Sequence, residues 1–328
     1  MPLKGRQLFA AAPAFLQTNA KPKNILLMIA DELGLHTGAY GDTTARTPNL
    51  DKLADEGTLF TNGFCTTASC SASRSVILSG LFNHSTGHYG HAHAQHHFGY
   101  LPFVRPFPAL LRDAGYFTGV LAKLHVNPLE SFKWNVNMSN DSGRSVFQMA
   151  DKFKQFLGSA GSQPWYMHVG FTDPHRAGGG TDFANRAYPG VTANKFDPEK
   201  VIVPSYLPDN PAVRKEVAEY YEAANRLDQG IGFFMDALRE SGQLDNTLVI
   251  FVSDNGMPFA NAKTGCYDAG LHLPCIVRAP QAAKRGLRND AFVNWTDVAP
   301  TILDYAGVAG PKDYKMPGLA GTDNRRRL

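Results

Sequence analysis

The sequence predicts an α/β fold in which a mainly parallel sheet is sandwiched by helices on both faces. Two observations carry this. Short apolar runs alternate with helix-patterned segments along most of the 328 residues, which is how successive βα units read. One stretch, 210–241, repeats apolar residues at spacings of three and four (Val213, Val217, Tyr220, Ala224, Leu227, Ile231, Phe234, Leu238), the mark of a long helix with one buried stripe. A composition of 43% hydrophobic and 19% charged residues supplies the core for one such domain and excludes a mainly disordered chain.

The elements follow in order. NILLMIA, Asn24–Ala30, is a buried strand. A helix is predicted over 48–56, stopped by Gly57, then a strand over 59–65 and a helix over about 73–81. A short helix over 108–114 leads to a strand over 117–124, and a helix over 145–157 leads to a strand over 165–171. After the long helix come strands over 248–253 and 273–278, and a helix capped by Thr296 that runs to Tyr305 and ends at Gly307. The stretch 176–210 is rich in Gly, Pro and Asn without periodicity, long enough for a functional loop that shapes a substrate pocket. No internal repeat is present. Beyond Gly310 no apolar period remains, and nothing is expected to close the fold there.

Charge and hydropathy narrow the partners. Lys and Arg number 32 against 29 Asp and Glu, a net +3 too small and scattered for a nucleic-acid surface. No apolar run approaches the roughly 20 residues that cross a bilayer. Residues 1–22 read as a signal peptide or a disordered N-terminus: Lys4 and Arg6, then LFAAAPAFL interrupted by Pro13, then Thr18, Asn19 and Ala20. A signal would make the protein secreted, lysosomal or periplasmic. Sequons at Asn83, Asn137, Asn140 and Asn294 permit glycosylation and also arise by chance. Four cysteines exclude a disulfide scaffold. Cys266 with Cys275, and Cys65 with Cys70, are the pairings open to the chain, and free buried thiols are the plainer reading for all but Cys70.

Side chains suited to chemistry cluster after strands. Asp31 and Glu32 follow the first strand, and Asp254 and Asn255 follow LVIFVS. In a parallel sheet the C-terminal strand ends form the ligand edge, and these hard oxygen donors suit Ca²⁺ or Mg²⁺ better than zinc. Each pair alone also fits a cap or turn. SCSASRSVILSGL puts Cys70 at a helix N-terminus beside Ser71, Ser73 and Arg74, where an anion is stabilised; a buried cysteine with a capping serine fits as well. Six of the fourteen residues 84–97 are histidine, which reads as a zinc or nickel tract or as a loop at a pocket mouth.

CSASR resembles the sulfatase pattern Cys-x-(Pro or Ala)-x-Arg, with Ala72 where proline is usual. ILLMIADELG, TPNLDKLADEGTLFTNGF, AKLHVN, FTDPHR, LVIFVSDNG and WTDVAPTILDYAG continue the likeness in order from about Lys23 to Gly307. GLFNHSTGHYGHAHAQHHF, TDPHR and SDNGMPF resemble the heparan N-sulfatase branch, including His84, Tyr89, Gly90, His96, His97 and Phe98. The resemblance implies an alkaline-phosphatase-like catalytic domain over 23–310, with 311–328 a polar tail at the start of a truncated C-terminal subdomain.

The same resemblance implies site residues. Asp31, Asp254 and Asn255 match metal ligands, and Cys70 matches the precursor of formylglycine, which also touches the metal. Glu32 stands where a second aspartate is usual and shifts or alters that ligand. Arg74 matches the arginine that holds the formylglycine, Lys123 and Lys263 the sulfate-contacting cations, and His125 and His175 the paired histidines. Lys263 replaces an arginine, keeping charge and losing bidentate geometry. The implied chemistry is hydrolysis of a sulfate ester or sulfamate on a carbohydrate, N-sulfoglucosamine leading, with Ca²⁺ or Mg²⁺ and a formylglycine-generating enzyme as maturation partner, in a strongly electropositive site. An O-sulfatase, a phosphonate or phosphate monoesterase, a truncated inactive binding protein, and a homodimer stay open.

Overall fold

The computed structural model describes residues 24–317; the 1–22 segment and the run Arg325 to Arg327 lie outside the described residues. Eight strands form one sheet: β1 (Asn24–Ala30), β2 (Thr58–Phe64), β3 (Phe117–Ala122), β4 (Val136–Met138), β5 (Trp165–Gly170), β6 (Thr247–Ser253), β7 (Cys275–Arg278) and β8 (Leu287–Asn294). Their order across the sheet is β4-β3-β5-β1-β6-β7-β2-β8. Every pairing is parallel except those of β7 with β6 and β2.

Period two in the central strands explains the layers. Leu26, Met28 and Ala30 of β1 enter one core, while Ile25, Leu27 and Ile29 enter the other. β6 divides the same way, Val249 and Phe251 against Leu248, Ile250 and Val252, as a strand covered on both faces must. On the first side pack α1 (Pro48–Asp55), α5 (Val146–Ala160) and α6 (Pro211–Glu240); on the second pack α2 (Cys70–Ser79), α4 (Phe107–Asp113) and α8 (Val298–Ala306). The single turns α3 (Asn83–Thr86) and α7 (Asp268–Leu271) sit in loops. α6 starts where its sequence says it should: Pro211 occupies the first turn, and the Asn210 side chain accepts from the Ala212 and Val213 N–H groups. Its Leu227, Ile231, Phe234 and Leu238 are buried, and truncating a phenylalanine so placed costs about 3–5 kcal/mol.

Several expectations are corrected. β4 and β8 carry no continuous apolar run, because one has three residues and the other is largely exposed at the sheet edge. α2 begins at Cys70, about three residues earlier than the apolar spacing suggests, and ends on Gly80 in the left-handed region, φ 68°. Thr296 is not the cap of α8: Asn294 and Asp297 form a capping box around the turn Trp295–Asp297, and Thr296 only donates its backbone N–H to Asn294. After Gly310 the chain does cover core, since Met316 is fully buried in the second cluster, and the Tyr314 hydroxyl bonds to Arg105 N and O.

All four cysteines are free; Cys65, Cys70 and Cys275 are buried, and Cys266 is exposed, against expectation. Asn83 and Asn294 spend their side chains on internal hydrogen bonds, whereas Asn137 and Asn140 are exposed. The irregular stretch after β5 borders a cavity of about 450 Å³ lined by residues including Asp182, Phe183, Asn185, Lys195, Glu219 and Glu222; none of the catalytic candidates lines it. Among the described residues no helix is long and apolar enough to cross a membrane.

Candidate active site

Four neighbouring strands, β3, β5, β1 and β6, end at one edge of the sheet. Lys123 and His125 follow β3, Asp173 and His175 follow β5, Asp31 and Glu32 follow β1, and Asp254 and Asn255 follow β6. Register does the placing. Ala30 pairs with Ser253, so Asp31 and Asp254 leave the sheet side by side. The Asp254 N–H then donates to Ala30 O (3.1 Å), the Asp31 N–H to Asp173 O (3.1 Å) and the Glu32 N–H to Asp254 Oδ1 (3.0 Å). β5 can lie this close to β3 because residue 170 is glycine: a Cβ there would stand 1.8 Å from the Lys123 carbonyl oxygen. α2 delivers Cys70 and Arg74 from the opposite side, both fully or almost fully buried.

These residues form one network. Arg74 donates from Nε to Asp254 Oδ2 (2.8 Å) and from Nη1 to Lys123 O (2.8 Å). Lys123 Nζ meets Asp31 Oδ2 at 2.5 Å, and Lys263 Nζ is paired with Glu32 Oε1. That same Glu32 oxygen lies 3.6 Å from Cys70 Sγ and 3.3 Å from His175 Nε2. The positive side chains expected here are thus each met by a protein carboxylate, since unmatched like charges at this burial would repel at high cost.

Oxygens are left over. Asp31 Oδ1, Glu32 Oε2 and Asn255 Oδ1 are buried without a hydrogen-bond partner, and each such group costs about 1–3 kcal/mol unless something satisfies it. Carboxylate oxygens of Asp31 and Asp254 and Cys70 Sγ lie within 4.8 Å of one another. A donor set of mostly hard oxygens fits a Ca²⁺ or Mg²⁺ ion. Glu32 is held differently from Asp31 and Asp254: its Oε1 serves Lys263 and His175, leaving Oε2 as its open oxygen.

Electrostatics sort the protons. Burial would raise the Asp31 carboxyl, but Lys123, His175 and Arg74 more than reverse this and hold it well below the usual carboxylate range. Asp254 is pushed up to about 6 by burial, against Arg74 and with the neighbouring Asp31 charge. Burial raises the Cys70 thiol well above its ordinary value, opposed by Lys123 and aided by the three carboxylates. Burial, then Lys123 and Arg74, push His125 down to about 2, so its ring is neutral. The backbone is strained nearby: Glu32 (φ 71°), Ala122 (φ 59°), His125 (φ 59°) and Thr264 (φ 63°) are left-handed without being glycine, each at about 1–3 kcal/mol.

The structure thus joins Asp31, Glu32, Cys70, Arg74, Lys123, His175, Asp254 and Lys263 in contacts, with Asn255 alongside, its Nδ2 bonded to Gly256 O. His125 stands aside from that network: its Nε2 meets His93 Nδ1 at 2.6 Å. Of the histidine tract flagged in the sequence, His91 and His93 pack on His125, a pairing the tract alone did not give. Two further features escaped the sequence reading. Asp173 is gripped by Arg144 and Arg226, the latter a charge lodged within the buried face of α6. The Tyr220 hydroxyl accepts from the Gly34 N–H at 3.3 Å behind Glu32, and nothing in the sequence separates it from the other core tyrosines.

A family model described as Sulfatase matches residues 23–308. N-sulphoglucosamine sulphohydrolase of Homo sapiens is 36% identical over 312 residues, covering 89% of this chain and 62% of that protein. An ulvan-active sulfatase of Formosa agariphila is 27% identical over 334 residues, covering 90% of this chain and 54% of its own. A solved structure described as being in complex with its substrate D-glucosamine-2-N,6-O-disulfate superposes with a TM-score of 0.68 at 20% identity, covering 89% of this chain and 78% of that one, a likeness of fold. The chain spans 62% and 54% of the length of the two curated relatives named.

Proposed function

This chain belongs to the sulfatase family, and from that premise we propose that it hydrolyses the sulfate group of a sulfated carbohydrate, with N-sulfated glucosamine the leading substrate. The substrate reading draws on the 36% identity to a human protein named for that reaction. One observation carries the chemistry: Cys70 Sγ lies among the oxygens of Asp31, Glu32 and Asp254, with Lys123 and Lys263 beside them.

An unmodified Cys70 is a poor nucleophile here, because its raised pKa keeps it a neutral thiol. Converted to formylglycine by a generating enzyme, position 70 supplies an aldehyde whose hydrate carries the attacking oxygen and a second hydroxyl for release of sulfate. A divalent ion, Ca²⁺ or Mg²⁺, held by Asp31, Asp254, Asn255 and position 70 with Glu32 Oε2 in reserve, supplies Lewis acidity and neutralises sulfate charge.

The chain's own groups divide the remaining work. Arg74 has no exposed surface and is fixed by Asp254 and the Lys123 carbonyl, so it positions residue 70. Lys123 and Lys263 keep 15% and 25% of their side chains exposed, and these two ammonium groups face incoming sulfate oxygens. His175 Nδ1 donates to the Arg176 carbonyl at 2.5 Å, which turns Nε2 toward Glu32 and the pocket, where a protonated Nε2 hands its proton to the leaving nitrogen or oxygen. His125, held neutral, accepts the proton of the second hydroxyl.

The test is release of sulfate from N-sulfoglucosamine and from glucosamine 6-O-sulfate, and of phosphate from an aryl phosphate, by the full chain coexpressed with a formylglycine-generating enzyme. Fastest turnover of the N-sulfated sugar is expected. An aldehyde at residue 70 by peptide mass, with no sulfate released from either sugar, would overturn the activity; release from the 6-O-sulfate alone would overturn the substrate.

A further inference from the structure

We propose that His91, His93 and His125 form a second cation site, for a divalent transition ion of the zinc, copper or nickel class, which shares His125 with the catalytic pocket. One ring nitrogen from each lies within 4.8 Å of the other two. His93 Nδ1 and His125 Nε2 are 2.6 Å apart, with ring centroids at 4.7 Å; the His91 ring stands 5.2 Å from His93 and 5.9 Å from His125. In a tetrahedral zinc site with Zn–N of about 2.0–2.1 Å, ligand nitrogens sit roughly 3.3 Å apart, so the group closes by small shifts of an exposed loop.

The loop is already pinned to do this. Ala92, between the two histidines, donates its N–H to Ser71 Oγ (3.1 Å) and accepts from Asn127 Nδ2 (2.7 Å), which ties His91 and His93 to α2 and to the segment that carries His125. The Nδ1 atom of His91 is buried with no hydrogen-bond partner, an independent sign that this ring lacks something polar. Three imidazoles with no carboxylate among them select a borderline transition ion over calcium or magnesium. Lys263, Lys123 and Arg74 are the charges that oppose a cation here, and all three are already paired, with Glu32, Asp31 and Asp254.

A metal on His125 engages the ring proposed to take the proton of the second hydroxyl at residue 70, so zinc inhibits. Only that inhibition rests on the sulfatase reading; binding does not, and the two fail separately. The experiment is zinc titration by calorimetry and by metal analysis after dialysis, on the full chain kept in excess calcium, for the wild type and the H91A, H93A and H84A variants. The expected result is one zinc per chain, weakened at least about tenfold in H91A and H93A, as loss of a ligand should exceed the 10–100-fold typical of outer-shell changes, with H84A unchanged. In parallel, zinc inhibits the wild type and spares H93A. No zinc retained by the wild type, or equal binding by H93A and the wild type, overturns the site. Equal weakening in H84A overturns it in favour of loose binding along the histidine tract.

Discussion

Two buried ion clusters lie side by side at the sheet edge, and they are built alike but finished differently. Around Asp173, Arg144 and Arg226 donate to both carboxylate oxygens at 2.5–2.8 Å, and their remaining N–H groups reach the carbonyls of Phe183, His175 and Arg176 and the side chain of Asn185. No oxygen of Asp173 is left over. Around Asp31 and Asp254, three acids meet three bases and still leave Asp31 Oδ1, Glu32 Oε2 and Asn255 Oδ1 unpartnered. The comparison teaches that unfinished hydrogen bonding, more than charge, separates a centre meant for a ligand from a brace.

The sharpest way to test that contrast is Cys70→Ser, which sits in the unfinished cluster. Turnover should fall by at least about 10³-fold, as for loss of a covalent nucleophile, while the urea midpoint stays close to wild type; a midpoint collapse would make residue 70 a packing element. Next in size is Arg226→Ala in the finished cluster. It takes the donor from Asp173 Oδ2 and leaves Arg144 alone against the buried carboxylate, so stability should drop by about 3 kcal/mol, and a loss under about 1 kcal/mol would sink the idea of a brace. Calcium should then tell the clusters apart: at about 100 times its Kd it should stabilise the wild type by about 2.7 kcal/mol, and Asp31→Asn should abolish that gain in thermal melts. A gain that survives in Asp31→Asn would place the ion elsewhere.

Over the first pH unit below the ordinary histidine value, where it amounts to about 1.4 kcal/mol, the smallest effect concerns His168, fully buried on β5 and pushed down to about 3 by burial and by Arg74. Its folded pKa lies below its unfolded value, so the unfolded chain binds the extra proton. Stability is therefore lost as pH falls from about 6.5 toward 3, at about 1.4 kcal/mol per pH unit. His168→Gln removes this slope, and denaturation at neutral and mildly acidic pH should show the variant gaining on wild type as pH drops.

Much of this was legible in the chain. β1 and β6 announce themselves by the apolar runs Ile25–Ala30 and Leu248–Val252, and α6 by its 3.6 period; the acids after β1 and β6 follow from what strand ends do. The likeness around CSASR led to Cys70, Arg74, Lys123, His175 and Lys263. What stayed hidden depends on pairing between distant residues. That Lys263 would bind Glu32, or Arg226 reach Asp173, is decided by how helices and loops pack, and no local period encodes it. β4 and β8 escaped because edge strands need no apolar face, and the charge balance of the site escaped because counting cations says nothing about which acid each one meets.

The register between β1 and β6 also sets a timetable. Glu32 and Asp254, joined by a hydrogen bond, stand 222 positions apart, so closing that loop is among the most non-local steps available to this chain, and non-local pairings form slowly. A divalent ion cannot be gripped by both sides of the site until β6 has docked. Binding of an ion at the proposed site would thus report that β6 has docked on β1, and a chain stalled with β6 undocked would carry every proposed ligand and hold no metal.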